Sequence, residues 1–196
     1  MACIDIIKHD SCFKIAGVID RDAKTGKFMN RYFFMGTDDD IPVFIRKGYQ
    51  FLVTVGQIKS SRIRHQLFEK VISHGGQLPV IISSKGYVSS LAKIGQGTIV
   101  MHKAVVNAGS VIGDNCIINT GAIVEHGVKI GSHCHISTGA VLNGDVNVGV
   151  NTFIGSRSMI SHGVDIGDQS VIGGGINLFN NVPSQTVIKA KINYTE

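Results

Sequence analysis

From Val88 onward an aliphatic residue returns at every sixth position: Val88, Ile94, Val100, Val106, Ile112, Ile118, Val124, Ile130, Ile136, Leu142, Val148, Ile154, Ile160, Ile166, Ile172 and Leu178. Four places after each stands a mostly small residue, as in Ala92, Thr98, Ala104, Ser110, Cys116 and Ala122. Turn formers fill the gaps, as in Ile112-Gly113-Asp114-Asn115 and Ile166-Gly167-Asp168-Gln169. A helix does not fit, because a period of six is out of step with ~3.6 residues per turn and the β-branched residues and glycines oppose it. An alternating strand does not fit either, because turn residues interrupt every few positions. The pattern predicts a parallel β-helix over 88–178 with three flat faces and three corners, six residues per face and eighteen per coil. The aliphatic residue points into the prism, the small one fits near the corner, and residues i and i+18 stack at the ~4.8 Å spacing of neighbouring parallel strands.

The segment 1–87 has another texture. Cys3 to His9 reads as the end of an amphipathic helix, Phe13 to Asp20 as a buried strand ending in an acid, and Ile41 to Lys47 as a short helix. Phe51 to Gly56 reads as a second strand. Ser61 to Ser73 reads as a helix with Ile63, Leu67, Val71 and Ile72 on one side. Helix and strand alternating in this way predict a small parallel α/β unit, Rossmann-like but without its first strand. Ligands of such sheets bind beyond the carboxyl ends of strands, which singles out Asp20, Asp22 and Gly56 as substrate-binding candidates. An acid at such a place serves equally to cap a turn or to hold a ribose.

Composition narrows the classes. With 43 % hydrophobic and 17 % charged residues the chain carries material for a core, which excludes a disordered linker. No apolar run reaches the ~18 residues of a bilayer span and no signal stretch opens the chain, so a cytoplasmic protein without a membrane partner is expected. The formal charge is +5, and all of the excess lies in 1–87. Without interleaved aromatics this does not argue for nucleic acid; it suits a small phosphorylated ligand or a solvated face. Cys116 and Cys134 stand eighteen apart in the small position and read as reduced packing residues.

A small α/β segment followed by Asn119-Thr120-Gly121-Ala122-Ile123-Val124-Glu125-His126, then His135-Ile136-Ser137-Thr138-Gly139-Ala140, then Gly173-Gly174-Gly175, resembles the bacterial sugar acyltransferases of the NeuD/PglD type. The resemblance implies a left-handed β-helix, a homotrimer, acetyl-CoA bound between neighbouring helices and a nucleotide-sugar held by the N-terminal unit. It assigns His126 as general base, with Asn119 as a polar residue near it. It implies cofactor contacts from His135 beside the thioester, Gly144 through its N–H, Ser156 and Gly174 along the pantetheine arm, and Lys191 near the adenosine phosphates, which puts the C-terminal extension 179–196 near the coenzyme. The spacing agrees in part, because His126 and Gly144 are eighteen apart and therefore neighbours in one column. An imidazole titrating near ~6.5 and a bare N–H at one corner suit acyl transfer.

Three features depart from the family pattern. Gly127 replaces the acid that usually follows the histidine, and Glu125 in a strand points the other way. Val187-Ile188-Lys189-Ala190-Lys191 replaces a Gly-x-Pro-Ala-Lys end. The opening strand and glycine turn that cradle a diphosphate do not precede the first helix: either the unit manages without them or the true start lies upstream, and a chain starting at Met1 is expected to bind a sugar-nucleotide weakly.

The expected activity is therefore acetyl-CoA-dependent N-acetylation of a nucleotide-linked 4-amino-6-deoxy sugar. The alternatives are O-acetylation of a sialic acid or related sugar and, from another class, a non-catalytic trimeric scaffold. No metal is expected: a γ-type carbonic anhydrase needs three converging histidines, and His126 and His162 stand two coils apart, ~10 Å.

Overall fold

The computed structural model describes residues 2–10, 12–22, 26–28, 31–58 and 60–189. The β-helix forms as the six-residue period requires. Face one stacks seven parallel two-residue strands from Ile81–Ile82 to Val187–Ile188, face two stacks six from Tyr87–Val88 to Asn177–Leu178, and face three stacks five from Lys93–Ile94 to Asp165–Ile166. The register is eighteen throughout the middle coils, as in Ile118↔Ile136 and Ile136↔Ile154. The inward column of Val100, Ile118, Ile136, Ile154 and Ile172 is fully excluded from solvent. Each such side chain contributes roughly 1.5–3 kcal/mol by leaving water.

The corners explain the rest of the pattern. Every sixth residue from Gly97 to Gly175 lies in the left-handed region, with φ between 54° and 75°. Where the residue is not glycine it is often Asn or Asp, as at Asn115, Asp145 and Asn151, the side chains that tolerate this region best. The small position also ties one coil to the next, because its side chain donates to a carbonyl fifteen residues on, as from Thr98 to Gly113 at 2.8 Å and Ser110 to Glu125 at 2.8 Å. Cys116 and Cys134 do the same with Sγ, to Gly131 at 3.2 Å and Gly149 at 3.0 Å. Both thiols are free, buried and used for packing.

Strand pairing runs past both ends of the 88–178 repeat. It starts one hexad early, where Ile81 and Ile82 pair with Ile99 and Val100. At the far end Ile172 pairs with Ile188, and Ile166 bridges Val182. That register is sixteen instead of eighteen, so the chain shortens after Leu178 and leaves Phe179 exposed. Residues 179–189 thus add a further rung instead of leaving the rod.

The N-terminal unit departs more from expectation. Helix α1 (Ala2–Asp10) and helix α2 (Ile41–Arg46) form as the sequence predicts. The strand expected over 13–20 contracts to β1 (Val18–Ile19), half-buried and paired parallel to β3 (Tyr32–Gly36), a strand the alternation missed. Strand β2 (Lys27–Phe28) pairs antiparallel to β3, so the sheet is mixed and not parallel. Residues 51–56 join no sheet. Their carbonyls turn instead to Arg64: its Nη1 donates to Val53 and Val55, and its Nε to Asn115. Helix α3 (Arg62–Ser73) accordingly buries Arg64, Phe68 and Val71, and leaves Ile63 in solvent.

This unit covers face one. The outward residues Ile99, Ile117, His135 and Phe153 are buried beneath it, which ties the orientation of His135 to the loop at Gln57. Helix α1 is fastened separately: Asp5 Oδ2 meets His102 Nε2 at 3.1 Å, and His102 Nδ1 meets Ser83 Oγ at 2.6 Å. Ser83 is 1 % exposed, so this serine–histidine–aspartate chain serves as a fastening and offers no reachable nucleophile.

Candidate active site

Two groups of the expected residues come together, on different edges of the prism. At the edge between faces two and three, His126 and Gly144 stack in one column. A β-carbon built on Gly144 would lie 2.6 Å from His126 Cε1 and 2.7 Å from Nε2, so the imidazole rests directly on the bare glycine. His126 is exposed, and its ring has no hydrogen-bond partner among the described residues. The N–H of Gly144 likewise has no acceptor there, whereas its carbonyl takes the Gly163 N–H at 3.0 Å. Glu125 points away, accepting from Asn107 Nδ2 at 2.9 Å.

The acid missing at position 127 has a counterpart one coil on. Gly127 has φ +69°, and a β-carbon on it would meet Asp145 Oδ1 at 2.2 Å. Asp145 therefore fills the space over Gly127. Its other oxygen lies 3.9 Å from His162 Nε2, and its N–H donates to the His126 carbonyl at 3.0 Å.

At the edge between faces one and two, Asn119 and His135 are joined. The Asn119 Nδ2 donates to His135 Nε2 at 3.0 Å, its Oδ1 accepts from the Thr120 N–H at 2.7 Å, and His135 Nδ1–H donates to the Gln57 carbonyl at 2.7 Å. Those bonds define a neutral ring with its proton on Nδ1. Burial pushes the His135 pKa down, the Gln57 carbonyl opposes that, and the Arg64 charge adds to it. Within one chain Asn119 therefore partners His135 and not His126. Further along this edge Ser156 Oγ meets Ser137 Oγ at 2.9 Å. A β-carbon on Gly174 would stand 3.1 Å from the Ser156 carbonyl. Ser156 and Gly174 are exposed neighbours along one line.

The remaining candidates scatter. Asp20 follows β1 with its N–H on the Gly36 carbonyl at 3.3 Å, Asp22 is exposed, and Gly56 faces open space. Asp38, which sequence reasoning passed over, lies close enough to Asp20 that their charges interact; burial is the larger cause of its raised pKa. Lys191 lies outside the described residues. At the third edge His65, Glu69 and His133 gather, a group not anticipated because it joins α3 to a coil corner.

Comparisons with known proteins bear on the fold and the family. Residues 109–144 match the family model described as bacterial transferase hexapeptide (six repeats), and 145–179 match the hexapeptide repeat of succinyl-transferase. The chain is similar to the acetyltransferase domain of PglB from Neisseria gonorrhoeae FA1090, solved in complex with acetyl coenzyme A. Identity is 30 % and the TM-score 0.89, over 96 % of this chain and 90 % of that one. It is also similar to PerB from Caulobacter crescentus, solved with CoA and GDP-perosamine, at 28 % identity and TM-score 0.88, over 96 % of this chain and 88 % of that one. WeeI from Acinetobacter baumannii AYE, at 18 % identity and TM-score 0.63, shares the fold over 89 % of this chain and 82 % of that one. No curated protein matches the sequence. The chain belongs to the bacterial sugar acyltransferases of the hexapeptide-repeat type. It is an enzyme, a sugar acetyltransferase. Among the described residues no helix is long and apolar enough to cross a membrane.

Proposed function

We propose that this enzyme transfers acetyl from acetyl-CoA directly to the amine of a nucleotide-linked 4-amino-6-deoxy sugar, with His126 as general base. The observation that carries the proposal is the His126 ring lying on Gly144 at an open corner, with both the ring nitrogens and the glycine N–H unengaged among the described residues. Acetyl-CoA supplies the activated acyl group. His126 takes the proton of the attacking amine, and the Gly144 N–H donates to the thioester oxygen as that oxygen gains charge. Collapse then breaks the C–S bond, and the leaving CoA thiolate takes the proton from His126 to depart as free thiol. The choice of an amine over a hydroxyl is supported by the likeness to PerB, whose complex holds GDP-perosamine.

The active unit is a homotrimer in this reading. His126 and Gly144 occupy one edge, while Asn119, Ser156 and Gly174 occupy another with His135 on face one beside it, and the width of face two lies between the two edges. A site using both sets is completed by a second copy. Face two offers the surface, because Val105, Ile123, Val141 and Met159 form an outward apolar ladder that stays partly open in a single chain. In this reading the N-terminal unit holds the nucleotide-sugar, in the cytoplasm, with Asp20, Asp22 and Gly56 as candidate substrate contacts and Lys191 as a candidate coenzyme contact.

Release of free CoA thiol, followed with a panel of nucleotide-linked 4-amino sugars, tests the reading. Wild-type turnover with one of them and a loss of at least ~100-fold in kcat for His126→Ala are expected. Turnover that survives this substitution refutes His126 as the base.

A further inference from the structure

The acyl-transfer reading leaves one group of side chains unused. His65 and Glu69 stand one turn apart on α3 and face His133, at the corner between faces three and one. One ligand atom from each lies within 4.8 Å of the others. The two imidazoles stack with centroids 3.9 Å apart and planes 17° from parallel, and His65 Nε2 is 3.6 Å from Glu69 Oε1. His133 is 7 % exposed and packs edge-on against Phe68, whereas the Glu69 side chain is 56 % exposed and opens the group to solvent.

We propose that His65, Glu69 and His133 bind a divalent transition-metal ion of the zinc class, which clips α3 to the β-helix. Two imidazoles and one carboxylate are borderline donors that suit zinc, cobalt or nickel better than magnesium or calcium. Ligand distances of ~2.1 Å around a tetrahedral ion put neighbouring donor atoms about 3.4 Å apart. The His65–Glu69 pair already approaches that value, and the half-exposed His65 ring can tilt out of the stack to close on His133. The fourth position remains open to water on the Glu69 side.

The surroundings of His133 supply the support that a ligating histidine needs. The Asn115 amide is buried and meets His133 Nδ1 at 3.0 Å, while Asn115 Oδ1 has no partner among the described residues. With the amide turned over, that oxygen accepts Nδ1–H and leaves the Nε2 lone pair for the ion. The turn gives up a 3.3 Å bond from Asn115 Nδ2 to the Arg64 carbonyl. The buried Arg64 guanidinium opposes a second cation nearby, and the carboxylates of Glu69 and Asp114 offset it.

A clip here has a physical use. Among the described residues the core cluster of the N-terminal unit holds five buried apolar side chains, Ile41, Val53, Phe68, Val71 and Leu78, with partly buried neighbours such as Ile45 and Leu67 packed on them. Units with so small a core commonly depend on a metal or another staple. The ion would tie the helix that supplies two of those five to the rigid rod.

The test uses untagged full-length protein stripped with a chelator and titrated with Zn²⁺ in a calorimeter. One ion per chain is expected, with affinity at least ~10-fold weaker in both His65→Ala and Glu69→Gln. Both side chains keep much of their surface in solvent, 40 % for His65 and 56 % for Glu69, so these variants fold even where a change at buried His133 would not. At a hundredfold excess over Kd, Zn²⁺ should raise the wild-type Tm by roughly 5 °C or more, and leave that of His65→Ala unmoved. His126→Ala should bind the ion like wild type, which separates this site from the acyl-transfer edge. Absence of saturable binding, or wild-type affinity in both α3 variants, overturns the clip; loss of binding in His126→Ala relocates the ion and overturns it equally.

Discussion

The imidazole of His126 lies on the α-carbon of Gly144, closely enough that a β-carbon there would come within 2.7 Å of Nε2. Gly144 needs no left-handed backbone, so alanine is conformationally acceptable, and what it strikes is the movable end of a side chain. Gly144→Ala should therefore leave Tm within a few degrees of wild type and displace the base from the edge. Misplacement of a catalytic group by about an ångström costs on the order of 100-fold, and kcat with an accepted amino sugar should fall that far. An alanine variant with unchanged kcat would show that the bare glycine is not needed.

Gly127 and Asp145 behave in the opposite way. Position 127 is left-handed and has a carboxylate oxygen 2.2 Å from any added β-carbon. Gly127→Ala should cost about 1–3 kcal/mol of stability, from strained backbone and a displaced Asp145. Thermal unfolding should show it as a Tm lower by ~2–4 °C per kcal/mol. Asp145→Gly in the same chain should recover part of the loss by clearing the collision. An additive double variant would mean that the carboxylate does not fill that space.

What the sequence disclosed follows from which forces are local. A period of six states the inward column and the corners outright, because each position packs against its own copy eighteen residues away. The His126–Gly144 column was legible for the same reason. The N-terminal unit was not, since its strands are two to five residues long and their pairing depends on partners elsewhere. An arginine in place of a neighbouring strand, as Arg64 serves 51–56, leaves no trace in the alternation of Phe51 to Gly56. The pairing of Asn119 with His135 was hidden because it crosses a corner between coils, and the His65–Glu69–His133 group because it crosses between units.

Burial of His135 carries a pH dependence. The His135 pKa is held below its ordinary 6.5, chiefly by burial. Below that pH the unfolded chain takes up a proton that the folded chain refuses, so stability falls as pH drops from 6.5 toward the folded value. Asn119→Asp replaces a donor to Nε2 by a carboxylate, which favours the imidazolium and raises the pKa. The loss of stability below 6.5 should then shrink; a folded value carried above 6.5 would instead add stability below 6.5 that is lost as pH rises through that value. An NMR titration of the His135 ring should show wild type taking up its proton below the ordinary imidazole range and the variant taking it up at higher pH than wild type. Coincident curves would mean that Asn119 does not contact the ring.

Arg64 occupies the place that a neighbouring strand would otherwise take. It is 1 % exposed, burial lowers its pKa to about 10, and its guanidinium reaches the carbonyls of Val53, Val55 and Asn115. Arg64→Met keeps much of the volume but strands those acceptors in the interior, where each unpaired group costs about 1–3 kcal/mol. Because none of those carbonyls accepts a ladder bond of the β-helix, the damage should remain in the N-terminal unit. Hydrogen exchange should accelerate for the Phe51 amide, which is bonded to the Gln77 carbonyl at 2.9 Å, and for the first turns of α3. The amides of Ile117, Ile123 and Val141, deep in the rod, should keep wild-type protection. Loss of protection throughout would show that the rod depends on the unit covering face one, and would contradict a β-helix stabilised by its own stacked coils.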